Sequence, residues 1–97
     1  MPDEVIIKQI HEIRKPKNRM LATVDVKVGY IVLKGFKIFR NDQNALWVVN
    51  PQSEVNGSYY EILEFLGWEL GQTVKEKILA SYQKLIRSRT VIPETTE

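Results

Sequence analysis

This 97-residue chain contains no cysteine. Disulfides and thiolate chemistry are therefore excluded, and the redox compartment stays open. Histidine occurs once, at His11, with no catalytic motif around it. No apolar run approaches the roughly 20 residues that a membrane-spanning helix needs. Acidic residues in the opening MPDEVIIKQI stand where a signal peptide would place positive charge. A cytoplasmic protein is the expectation. The glycines at 57, 67 and 71 form neither a phosphate loop nor a dinucleotide fingerprint. Glu69 joins no metal-ligand spacing. Glu61 and Glu64, read as parts of one strand, point to opposite faces and cannot act as a pair. No cofactor, metal or catalytic set is expected, and the chain reads as a non-enzyme.

What is present describes one small domain. Hydrophobic residues make up 43% and charged residues 27%, the balance of an ordinary globular protein. The net charge of +2 is unevenly placed. Residues 1–50 hold nine Lys/Arg against five Asp/Glu, and residues 51–97 hold five against seven. The basic surface belongs to the N-terminal half.

Alternation dominates Met20–Pro51. Met20, Ala22, Val24, Val26 and Val28 alternate with Leu21, Thr23, Asp25 and Lys27, the period of a strand with one buried face. Gly29-Tyr30 is a tight connection, Ile31–Phe39 a second strand, Asn41–Asn44 a turn and Ala45–Val49 a third strand. Strict alternation puts Ile31, Leu33 and Phe39 on one face and Val32, Phe36 and Ile38 on the other. Val5–Ile13 is ambiguous: Val5, Ile7 and Ile13 fit a strand, while Ile6, Ile10 and Ile13 fit a helix face. Its β-branched residues and short length favour a strand. Pro51–Gly57 reads as a polar loop with the turn dipeptide Asn56-Gly57. Ser58–Phe65 reads as a fifth, shorter strand, and Leu66–Gly71 as a connection.

One amphipathic helix is expected over about Val74–Arg87, opened by a capping box at Thr73–Glu76. Val91–Glu97 is expected as a flexible tail. The fold class is thus α+β, an antiparallel meander sheet followed by one C-terminal helix. Five strands span about 24 Å and one helix covers about 10 Å, so apolar groups on both sheet faces predict a homodimer.

The run Arg14-Lys15-Pro16-Lys17-Asn18-Arg19 places four cations on an exposed loop, a pattern suited to phosphate contact, although on sequence alone a solvated, solubility-promoting loop is the favoured reading. Trp47, Trp68, Tyr59 and Tyr60 are candidate stacking platforms for single-stranded bases, with core or interface packing the competing use.

The order of segments from Arg19-Met20-Leu21-Ala22 through Ile31–Ile38, the Asn-rich turn and Leu46-Trp47-Val48-Val49-Asn50-Pro51 resembles the stage V sporulation protein G (SpoVG) family. That family comprises bacterial septation and gene-expression regulators. Tyr59-Tyr60-Glu61-Ile62 and Ile78-Leu79-Ala80-Ser81-Tyr82 continue the likeness, which spans roughly residues 5–86. The resemblance implies a dimeric α+β domain that binds DNA, and in some members RNA, without enzymatic activity. It adds Lys75 and Lys77, near the start of the helix, to Arg14, Lys15, Lys17 and Arg19 as candidate nucleic-acid contacts. This chain departs from the family at Gln52–Gly57, where the family commonly carries a basic loop, and at Glu64, where it tends to have histidine. It departs again at the helix entry Gly71-Gln72-Thr73-Val74, where the family tends to have Ser/Thr and Arg/Lys and only Lys75 and Lys77 lie nearby. A protein-interaction module that keeps the fold without binding nucleic acid is the alternative.

Overall fold

The computed structural model describes residues 4–13 and 19–95, with side chains through residue 88. The chain is α+β, as expected. Strands β1 (Val5–Glu12), β2 (Met20–Val28), β3 (Ile31–Arg40) and β4 (Leu46–Val49) form an antiparallel sheet in sequence order. A separate hairpin pairs β5 (Gln52–Val55) with β6 (Ser58–Glu61), and α1 (Trp68–Thr95) closes the chain.

The turns follow from their residues. Asn41 Oδ1 accepts from the amides of Gln43 (2.8 Å) and Ala45 (2.9 Å), so one side chain organises the β3–β4 connection. Asn56 and Gly57 both take positive φ, 52° and 82°, the requirement of a two-residue type I′ hairpin turn. That geometry makes Gln52–Val55 a strand where the sequence predicts a loop. It also ends β6 at Glu61, four residues short of the expected Phe65. Glu64 therefore lies in a loop and shares no strand with Glu61.

Bulges set which residues face the helix. Opposite Val24 and Val26, two residues apart on β2, stand Phe36 and Leu33, three apart on β3. The extra residue shifts the phase of β3, so Leu33 and Phe36 share a face that strict alternation divides. Gly35 sits at this step with φ +96°. Beyond it, Phe36 and Ile38 face the core, and Phe39 turns to the other side to stack on Trp47 with centroids 5.5 Å apart. A second bulge lies between Ile7 and Gln9 on β1. It explains the ambiguous spacing of that segment: Val5 and Ile7 face inward before the shift, Ile10 after it. A third separates Met20 from Ala22.

The core lies between the sheet and α1. Ala22, Val24, Val26, Phe36 and Ile38 meet Val74, Ile78 and Tyr82 of the helix, with Val5 and Val48 closing the two edges. Helix α1 touches both edge strands. It begins at Trp68, six residues before the expected Val74 and inside the predicted connection. Glu69 in its first turn suits the positive end of the helix dipole. Gly71, read as a breaker, is buried in the second turn, where an added Cβ would lie 3.1 Å from the Phe65 ring. The glycine serves close approach. Thr73–Glu76 consequently lies inside the helix, where its amides bond within the helix rather than needing a cap. The helix continues through Thr95, past Pro93 and across most of the expected tail. No helix among the described residues is long and apolar enough to cross a membrane.

Candidate nucleic-acid interface

Arg14, Lys15 and Lys17 lie outside the described residues. The other three expected contacts are not brought together. Arg19 stands at the Glu12 end of the sheet, where its carbonyl accepts from the Arg40 amide at 3.0 Å. Lys77 stands at the Val5 end, its Nζ donating to the Val5 carbonyl at 2.9 Å. The two ends of β1 are seven residues apart, about 23 Å at the rise of a strand.

At the Glu12 end the guanidinium of Arg19 pairs with Asp42. Both groups are exposed, and such surface pairs contribute at most about 1 kcal/mol, so a phosphate could displace the carboxylate. Two further arginines join this end. Arg40 comes from the last position of β3, held by its pairing with Leu46. Arg87 comes from α1, one turn beyond Gln83. They flank an open cleft of about 440 Å³ whose apolar wall is Leu46, Tyr82 and Ile86. Neither arginine has a carboxylate partner among the described residues. Neither is among the contacts expected from the sequence. The pairing of Arg40 with Leu46, and the burial of Tyr82 one turn before Ile86, are what unite them.

Near the start of α1 the arrangement is different. A smaller cleft of about 230 Å³ is lined by Asn50, Glu64, Phe65, Trp68, Gln72 and Lys75. Trp68 is 76% exposed. Lys77 is not part of this cleft; its bond to Val5 ties the helix to the edge strand, which makes it a structural cation rather than a free one.

The aromatic platforms divide as well. Trp47 is held against Phe39, and Tyr59 lies under Lys37 Nζ at 5.2 Å from its ring centre. Tyr60 and Trp68 keep open faces. Among the described residues no group of three His, Cys, Asp or Glu side chains is arranged to hold a metal. His11 Nε2 lies 3.1 Å from Asp25 Oδ2, across adjacent strands. Comparison with known protein families and with curated protein sequences returns no match.

Proposed function

We propose that this chain is a SpoVG-like regulator that binds DNA or RNA as a homodimer, without enzymatic activity. The observation that carries the reading is the basic end of the sheet. Arg40 and Arg87 flank one cleft without carboxylate partners among the described residues. Arg19, the last cation of the Arg14–Arg19 run, is bonded through its carbonyl to Arg40. Guanidinium groups grip phosphate oxygens bidentately, and several at one end of a domain hold a backbone in register.

Salt tests this directly. Each phosphate contact on a single strand contributes about −0.7 to the slope of log K against log salt. Four contacts then weaken binding roughly 50-fold when salt rises fourfold. Gel shifts on DNA and RNA fragments at 50 and 200 mM salt should show that loss. Replacing Arg14, Lys15, Lys17 and Arg19 together by alanine should flatten it. The control is Lys77→Met: it should leave affinity unchanged while lowering stability by about 1 kcal/mol, the worth of one hydrogen bond. No shift at low salt, or a shift indifferent to the fourfold variant, defeats the reading.

The dimer rests on uncovered apolar surface. Ile6, Val32 and Trp47 are exposed on the sheet face turned from the helix, and Tyr30 and Ile31 at the β2–β3 end. A second copy covering them gives a symmetric pair. Light scattering at micromolar concentration should return twice the chain mass of 11.3 kDa; a single-chain mass removes this part of the proposal. The interaction-module alternative draws on Val55, Tyr60, Ile62 and Leu66, all exposed around the β5–β6 hairpin. A salt-insensitive protein contact without any nucleic-acid shift would favour it.

A further inference from the structure

The cleft beside the start of α1 has a chemistry that the basic end lacks. Its volume of about 230 Å³ is below the roughly 300–1,000 Å³ of sites that enclose whole small molecules. It suits one ring system, with whatever the ring is attached to left outside. Phe65 forms a rigid wall, stacked on the buried Phe36 at 6.4 Å and 13° and closed from behind by Gly71. Trp68 offers an open aromatic face. Glu64 and Lys75 line the same cleft, yet they pair neither with each other nor with another charged group among the described residues. Asn50 Oδ1 is enclosed with no hydrogen-bond partner. A buried amide oxygen left so is costly, and a reorientation of the amide that turns its N–H2 group toward an acceptor on a ligand would relieve it.

An unpaired acid and an unpaired base on one ring-sized cleft complement a ligand that donates along one edge and carries negative charge beyond another. We propose that the cleft receives one guanine base, supplied by a splayed-out nucleotide of bound single-stranded DNA or RNA; the source of the base rests on the nucleic-acid reading above. The carboxylate of Glu64 only accepts hydrogen bonds. It therefore selects a base edge with two adjacent donors. Guanine presents N1–H and the N2 amino group side by side. Adenine and cytosine set one amino donor beside an acceptor, and uracil and thymine hold one N–H between two carbonyls. Asn50 and Gln72 carry amide N–H groups able to donate to guanine O6 and N7. Trp68 stacks on the base, and Lys75 takes the flanking phosphate.

The test uses the full chain and fluorescence anisotropy of labelled oligothymidylates carrying one central guanine, inosine, adenine or thymine. Inosine keeps N1–H and lacks the N2 amino group. The guanine oligomer should bind about tenfold more tightly than the inosine one, the discrimination expected of one bidentate pair. Glu64→Gln should erase that preference and leave the all-thymine oligomer within about twofold. Trp68→Ala should weaken the guanine oligomer about five- to a hundredfold, and Trp68→Phe should restore most of the loss. A second arm titrates GMP against AMP and follows tryptophan fluorescence. Oligomers bound with no guanine preference and no effect of Glu64→Gln overturn the guanine cleft and leave the nucleic-acid reading standing. GMP bound selectively, with no oligomer bound, supports the cleft and overturns the polynucleotide reading. No response in either arm overturns both.

Discussion

Phe36→Ala should lower the unfolding free energy by about 3–5 kcal/mol, the range for deleting a buried aromatic ring. Chemical denaturation with urea measures it. The ring has no exposed surface. It lies opposite Val24 on the neighbouring strand and stacks on Phe65. Sheet atoms hold it on one side and the loop after β6 on the other, so its removal leaves a hole that the pleated backbone cannot collapse into. A domain of this size holds about 5–15 kcal/mol in all, and the variant would stand close to unfolding at room temperature. The loss should reach the small cleft too. Without Phe36, Phe65 loses the ring that fixes it, and the wall facing Trp68 loosens. A cost under about 1 kcal/mol would show that Phe36 is not the keystone of this core.

How far the sequence carried this architecture depends on where alternation holds. Over Ala22–Val28 the period of two is unbroken, and the buried set Ala22, Val24, Val26 and Val28 reads directly from it. Over Ile31–Phe39 it fails by one residue. The apolar pattern there is two correct strand halves in different phase, and nothing in hydrophobicity alone marks the join. Gly35 is the mark, and it acquires meaning only once the partner register is known. Val5–Glu12 carries the same difficulty, with a bulge imitating helical spacing. Around α1 the error has another source. Gly71 lowers helix propensity locally, but the packing of Phe65 against it outweighs a cost of about 1 kcal/mol. The sites divide in the same way. Cations adjacent in sequence, such as Arg19, were legible. Arg40 with Arg87, and Glu64 with Lys75, meet only through sheet register and helix placement.

Gly35 supplies the strongest backbone prediction. Its φ of +96° lies where an L residue is strained, and positions of this kind cost about 1–3 kcal/mol when forced on one. Space is not the constraint: an added Cβ would meet the Pro51 Cβ at 3.8 Å, an ordinary contact. Gly35→Ala should therefore already carry most of the penalty, and Gly35→Val should add only the stiffness of its branched side chain. The 97-residue chain is short enough for chemical synthesis, which allows D-alanine at position 35. That enantiomer favours positive φ and should match glycine or exceed it, since it also restricts the unfolded chain. Thermal and urea unfolding of the three forms decide the point. Equal destabilisation by L- and D-alanine would mean that crowding, not handedness, reserves this position for glycine. If instead the L variants relieve strain by losing the bulge, Ile31, Val32 and Leu33 must exchange faces relative to Phe36, because a one-residue slip inverts a strand. Leu33 would then leave the core and Val32 would enter it. Hydrogen exchange would report this as lost protection in the β2–β3 end while Phe36–Arg40 stays protected.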